Sequence, residues 1–239
     1  MTLTLEVLPD PERLAGRAVE ILEALGAEKL GGPGRFVVSL AGGSTPKAAY
    51  RLWGERSRLD WRRVRLLYGD ERCVAPDHPD SNAGMVEAAL LAGLDPAPEV
   101  FRMRGEDAEP AAAARDYGRQ LKAMLDGGDA IDLAVLGIGG DGHTASLFPG
   151  REAVAERHHL CVETVAPDGK TNRITLTLPA LRQAKRILFL AAGAGKADIL
   201  QKVVKGPFAP ESLPSQFLLR DEALAVTLLA DEAAAAKLD

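Results

Sequence analysis

The stretch Asp132 to Gly150, DLAVLGIGGDGHTASLFPG, sets a carboxylate and an imidazole inside a glycine-rich turn. Asp141 and His143 follow directly on an apolar run. Histidine titrates near neutral pH and serves naturally as general base or acid. The surrounding glycines, Gly140 among them, let the backbone approach a substrate closely. Gly137, Gly139 and Gly142 also spell G-x-G-x-x-G, the dinucleotide fingerprint. That fingerprint requires a long helix after its third glycine, with a pyrophosphate on the helix N-terminus. Here Pro149 arrives seven residues after Gly142, and Asp141 would set negative charge beside the phosphates. Glu163 lies where the ribose-binding acid of such a fold would fall, but the loop suits catalytic groups better than a nucleotide.

Three further stretches carry groups of the same kind. In YGDERCVAPDHPDSN, Asp70 and Glu71 are carboxylates at the end of an apolar run. One could act as a base, and the planar fork of Arg72 could orient an oxygen-rich substrate. Asn82 falls near the start of the next helix. Asp77, His78 and Asp80 read as a solvated turn rather than a metal site, so no metal is expected. Cys73 reads as a small buried residue rather than a nucleophile. In SLAGGSTPK, Gly42 and Gly43 permit a sharp turn; Thr45 reads as an N-cap and Pro46 as the first helical residue. The free amides of such a helix start, with Ser44 in the turn, suit a phosphate. The stretch is not a P-loop, because G-x-x-x-x-G-K-[ST] is absent. In AAGAGKADIL, Lys196 supplies a point charge at the start of an expected helix, and Arg173, opening RITLTL, could be a second clamp. His158 and His159 sit in a polar context and read as surface residues.

Five unbroken apolar runs position these groups: Phe36 to Gly42, Val64 to Asp70, Asp132 to Gly139, Arg186 to Gly193 and Leu224 to Asp231. Such runs suit strands buried on both faces of a parallel sheet. Helical patterns lie between them: Lys47 to Trp53, Asn82 to Leu91, Glu109 to Leu125 and Lys196 to Val204. Gly26 to Arg35 reads as a glycine-rich turn after a first helix. Arg173 to Leu181 alternates, as a strand leading into a turn or short helix at Pro179. The alternation predicts an α/β fold, a doubly wound and mostly parallel sheet flanked by helices. Ligands of such sheets sit outside the carboxyl ends of the strands. Four runs end in AGGSTPK, GDER, GIGGDGH and AAGAGK, so their tails should converge on one crevice.

The bulk composition excludes several classes. The 239 residues are 46% hydrophobic and 26% charged, ordinary for a globular protein, and no linker divides them, so one domain over 1–239 is expected. No segment approaches the roughly 18 uninterrupted apolar residues of a membrane span. The N-terminus lacks a basic region followed by an apolar stretch, so no signal peptide is expected. Two cysteines make no disulfide framework, which fits a cytoplasmic protein with reduced thiols. A net charge of −5 argues against a nucleic-acid partner. An anionic substrate would therefore need local basic residues.

Taken together, SLAGGSTP, GDER…DSN, LGIGGDGHTASLFPG, NRITLTLPAL and the AAGAGKA lysine resemble the 6-phosphogluconolactonase family, in order and over nearly the whole chain. That family belongs with the glucosamine-6-phosphate isomerases/deaminases, on a modified Rossmann-like sheet. The resemblance implies cofactor-free hydrolysis of 6-phospho-D-glucono-1,5-lactone to 6-phosphogluconate, with a sugar-phosphate lactone as the partner; a monomer is expected. It implies His143 as the catalytic residue, with Asp70, Arg72 and Asp141 around it. Arg173, Lys196 and the turn Gly43, Ser44, Thr45 match positions that bind sugar phosphate in the wider superfamily. Gly42, Asn82 and Gly140 complete the expected substrate-binding set. The deaminases carry a glutamate five residues after the histidine, where this chain has Phe148, and D-E-Y where it has Asp70, Glu71, Arg72. Both departures point to the lactonase.

Overall fold

The unbroken apolar runs form the centre of a parallel sheet. The computed structural model describes residues 3–238. Among them the strands are β1 (Thr4–Leu8), β2 (Phe36–Leu40), β3 (Val64–Tyr68), β4 (Asp70–Arg72), β5 (Glu99–Phe101), β6 (Leu133–Gly137), β7 (Cys161–Val165), β8 (Asn172–Leu176), β9 (Arg186–Ala191) and β10 (Ala225–Asp231). The helices are α1 (Pro11–Leu30), α2 (Ser44–Arg56), α3 (Asn82–Val86), α4 (Pro110–Asp126), α5 (Glu152–Ala155), α6 (Leu178–Leu181), α7 (Ala197–Val204), α8 (Gln216–Leu219) and α9 (Glu232–Ala235).

Seven strands form one sheet in the order β1-β10-β9-β6-β2-β3-β5, with parallel pairing throughout. Every residue of β2 and β3 is buried, because helices cover both faces. From β2 the chain proceeds outward through β3 to β5; from β6 it proceeds the other way through β9 to β10. The strand order therefore reverses between β2 and β6. A crevice opens at such a switch point, outside the carboxyl ends of the strands. Across its mouth lies a smaller antiparallel sheet, β4-β8-β7.

Two buried tyrosines fix the strand ends that border the crevice. The Tyr50 hydroxyl of α2 accepts from the Ala41 amide at 2.8 Å and donates to the Ala41 carbonyl at 3.1 Å. The Tyr117 hydroxyl of α4 does the same for Tyr68, at 2.8 and 3.1 Å. Each pins a backbone unit just before a site-bearing turn, where an unpaired buried group would cost about 1–3 kcal/mol.

Local expectations fail at several places. β1 was not expected; it is an exposed edge strand with no continuous apolar run. α1 extends to Leu30, so the glycine-rich turn begins at Gly31 rather than Gly26. Gly26 is buried on the helix, where a Cβ would collide with Leu59. α2 begins at Ser44, so Thr45 is not its N-cap: Gly43 holds that position with φ +107° and no side-chain cap. The glycine can take this left-handed φ, which starts the helix earlier than a threonine cap would. Asp70 does not end β3 but opens β4, a separate strand. The expected helix over 82–91 starts at Asn82 but passes into a π-helical turn over Glu87–Leu91.

Candidate active site

A cavity of about 390 Å³ occupies the crevice. Gly42, Gly43, Ser44 and Thr45 line it from the β2 tail, and Gly140 and His143 from the β6 tail. Asp70, Arg72 and Arg173 line it from the small sheet, and Lys196 from the β9 tail. The four strand tails thus converge. Two expected residues do not line it: Asp141, exposed and in contact with His143, and Asn82, buried against Asp70.

No helix follows Gly142; the loop makes turns closed by a bridge between Thr144 and Leu147. Gly139 lies under the His143 ring, where a Cβ would collide with the imidazole. The Gly139 amide donates to the His143 carbonyl at 2.8 Å, so the turn folds back on itself. From outside, the Ser215 amide donates to the Gly142 carbonyl at 2.9 Å. His143 is held on two further sides. Its Nδ1 lies 2.6 Å from Asp141 Oδ1, and its backbone amide donates to the same oxygen at 3.1 Å. The Phe148 ring, 4% exposed, packs on the imidazole with centroids 4.6 Å apart.

Burial alone would raise the Asp141 carboxyl. Hydrogen bonds from the His143 amide and ring, with the imidazole's charge, outweigh that and hold it below the usual carboxylate range. An ionised Asp141 accepts the Nδ1 proton and so leaves Nε2 with a free lone pair. That arrangement can take a proton from water.

The small sheet supplies the cations. Arg72 and Arg173 are direct partners across the β4–β8 register. Like charges set opposite one another repel. The Nε of each is buried with no protein partner, although an Arg72 terminal nitrogen donates to the Asp80 carbonyl. Burial, then the neighbouring Arg72 charge, pull Arg173 below its ordinary value. Two juxtaposed guanidiniums with unused donors can receive a dianion. Lys196 Nζ donates to the Ile138 carbonyl at 2.7 Å, which holds its charge at the cavity wall.

Asp70 sits between these groups. Its Oδ2 accepts from Ser146 Oγ at 2.6 Å and its Oδ1 from Asn82 Nδ2 at 3.2 Å. Glu71, on the opposite face of β4, accepts from the amides of Asn82 and Ala83 at 2.7 Å each and so starts α3. Burial pushes its carboxyl up, against those hydrogen bonds. Glu71 is therefore a structural acid. Sequence reasoning missed Ser146, and Asp231, whose carboxylate accepts from the Gly193 amide and shapes the turn before Lys196. Neither has a local signal, because their partners lie 76 and 38 residues away.

The remaining candidates fall outside the site. Burial pushes the half-buried Cys73 thiol up to about 11, which removes it as a nucleophile at neutral pH. His78 Nδ1 accepts from the Asp80 amide in an exposed turn. His158 and His159 are exposed. Among the described residues, no group of three or more His, Cys, Asp or Glu could hold a metal, and no helix is long and apolar enough to cross a membrane.

Comparison with known proteins adds an independent line. The family model described as glucosamine-6-phosphate isomerases/6-phosphogluconolactonase matches residues 9–227. A Nostoc sp. protein named 6-phosphogluconolactonase is 37% identical over 227 residues, covering 91% of this chain and 92% of its own. A Rattus norvegicus protein of the same name is 34% identical over 244 residues, covering 97% and 92%. The crystal structure of 6-phosphogluconolactonase from Leishmania guyanensis superposes with a TM-score of 0.85 at 29% identity, covering 98% of each chain.

Proposed function

The chain belongs to the glucosamine-6-phosphate isomerase/6-phosphogluconolactonase family, and from that premise we propose that it hydrolyses 6-phospho-D-glucono-1,5-lactone to 6-phosphogluconate. The relatives named above are lactonases. The observation that carries the reading is the pairing within one cavity of an aspartate-oriented histidine with two guanidiniums that have unused donors. A δ-lactone is an activated ester, so its hydrolysis needs little beyond an oriented water and one proton relay.

His143 Nε2 takes a proton from water as the oxygen attacks C1, and Asp141 stabilises the imidazolium that forms. The carbonyl electrons move onto oxygen, where amides of the glycine-rich turns can meet the developing charge. As the C1–O5 bond breaks, the imidazolium returns the proton to O5. The product is an open-chain hydroxy acid that ionises. Arg72 and Arg173 hold the phosphate far from C1, and that remote binding supplies orientation. Lys196 adds a charge at the wall, and the Gly42 to Thr45 turn offers amides and hydroxyls to the sugar.

Phe148 separates this reading from the deaminase. Ring opening and isomerisation need several proton transfers, for which the deaminases pair a glutamate with the histidine. A phenylalanine cannot relay protons; it shields one side of the ring instead. The reading includes one domain, no metal or cofactor, and a cytoplasmic monomer. The test measures acid release from 6-phosphogluconolactone, corrected for spontaneous hydrolysis, and ammonia release from glucosamine 6-phosphate on the same preparation. Acid without ammonia is expected; ammonia at a comparable rate would overturn the reading.

A further inference from the structure

Ser146 lies three residues beyond His143, on the loop after β6, and is 1% exposed. Its two polar groups reach two different strands of the small sheet. Its hydroxyl donates to Asp70 Oδ2 on β4 at 2.6 Å. Its amide donates to Thr175 Oγ1 on β8 at 3.1 Å. Asp70 and Thr175 are themselves register partners. One residue of the histidine loop therefore clasps a single cross-strand pair from above. Thr175, fully buried, turns its own hydroxyl proton to the Leu176 carbonyl at 3.0 Å, which leaves its oxygen free to accept.

The next pair along the same face is Arg72 and Arg173, because side chains two residues apart on a strand share a face. Glu71 and Ile174, between the two rows, are buried on the other side. The clasp thus fastens the loop that carries the histidine to the row beside the arginines. β6 and the small sheet share no strand pairing; the main chain joins them only at a distance, through Gly69 between β3 and β4, so no shared ladder sets this spacing directly.

We propose that Ser146, acting through Asp70 and Thr175, is a positioning residue that sets the spacing between His143 and the arginine pair. It thereby selects a lactone whose phosphate lies one hexose length from the reacting carbonyl. The proposal rests on the lactonase reading above. A substrate anchored at both ends reacts only when the two ends are in register, and a misplacement of about 1 Å can cost on the order of 100-fold. A lactone without a phosphate is anchored at one end and tolerates a changed spacing.

The test compares kcat/KM on 6-phosphogluconolactone and on unphosphorylated gluconolactone. Ser146→Ala and Thr175→Val should each lose about 10- to 100-fold on the phosphorylated lactone and less than about 3-fold on the other, mostly in kcat. Thr175→Ser keeps the accepting oxygen and should retain the wild-type preference. A merely structural role would lower both substrates equally, in step with the melting temperature. Equal losses on both lactones, or Thr175→Ser behaving as Thr175→Val, would overturn the positioning role and leave the lactonase reading intact. A wild-type protein with no preference for the phosphorylated lactone would sink the lactonase reading first, and the proposal with it.

Discussion

The two ends of the parallel sheet each carry a charged cavity, of about 390 Å³ at the carboxyl ends and about 420 Å³ at the amino ends. Size does not tell them apart; the state of the charges does. At the amino ends, Asp132 accepts from the Val37 amide at 3.0 Å and from Lys185 Nζ at 2.8 Å. Lys29 adds a third contact at 3.9 Å. At the same end Arg65 pairs with Glu99 and Asp129 and stacks over the Phe101 ring. At the carboxyl ends two arginines face each other with unused Nε donors. Ala145, beside them on the wall, is the one non-glycine residue with positive φ among the described residues, at +48°. Unspent donors and backbone strain mark a binding site, whereas matched charges mark a closure. The comparison predicts that substitutions at one end change turnover and those at the other change stability.

The largest effect should be at His143. His143→Ala should lower kcat by roughly 10²- to 10⁴-fold, the usual worth of a general base, with the melting temperature nearly unchanged. Turnover close to wild type after subtraction of spontaneous hydrolysis would remove His143 from the mechanism. At the amino ends the reverse should hold. Asp132→Ala strips the Val37 amide of its partner and should destabilise by about 2–4 kcal/mol. In a chain of this size that lowers the melting temperature by roughly 5–15 °C, while kcat stays within about twofold of wild type because no group at the reacting end moves. A large loss of kcat there would break the comparison.

Arg173→Ala should come next. A charge-assisted contact to phosphate is worth about 1.5–3 kcal/mol, so kcat/KM on the phosphorylated lactone should fall roughly 10- to 150-fold. Its loss on the unphosphorylated lactone should be far smaller, and stability should not fall, because the change also relieves repulsion with Arg72. Equal losses on both lactones would show that the arginine pair does not read phosphate.

What the sequence made legible divides along the same line. The buried runs of β2, β3, β6, β9 and β10 were readable because continuous hydrophobicity is a local signal. The proximity of His143 and Asp141 was readable because both lie on one contiguous loop. The facing of Arg72 and Arg173 was not, since it depends on the register of strands about 100 residues apart. For the same reason the alternation in RITLTL suggested a strand but not its antiparallel partners. Asn82 was placed correctly at a helix start, yet its carboxamide serves Asp70 rather than the cavity. Thr45 looked like a cap because capping statistics weigh side chains, and Gly43 achieved the turn with backbone freedom alone.

A smaller effect sharpens the electrostatics within the site. Asp141→Asn removes the carboxylate that accepts from His143 Nδ1 and leaves an amide that can present either its oxygen or its NH2 group to the ring. The imidazole then loses its fixed tautomer, and the imidazolium formed during attack loses its stabilising charge. Turnover of the phosphorylated lactone should therefore fall several-fold in kcat with KM little changed. A variant with wild-type kcat would show that the carboxylate does not orient the histidine.

The smallest expected effect tests whether the strain belongs to function. An alanine held at φ +48° pays about 1 kcal/mol that a glycine would not, and part of that gain returns as lost unfolded-state order. Ala145→Gly should therefore stabilise by about 0.5 kcal/mol, raising the melting temperature by roughly 1–2 °C. The residue links His143 and Thr144 to the buried Ser146, so a freer backbone there loosens the loop that carries the histidine. Turnover should fall by a few-fold while the protein becomes slightly more stable, the trade expected where a site stores strain. Differential scanning calorimetry and lactone hydrolysis on one preparation decide it. A variant both more stable and fully active would show that the left-handed backbone at Ala145 serves neither the histidine nor the clasp. A less stable variant would show that the φ cost at Ala145 is outweighed, because its methyl group must then pack against the wall more favourably than the φ angle costs.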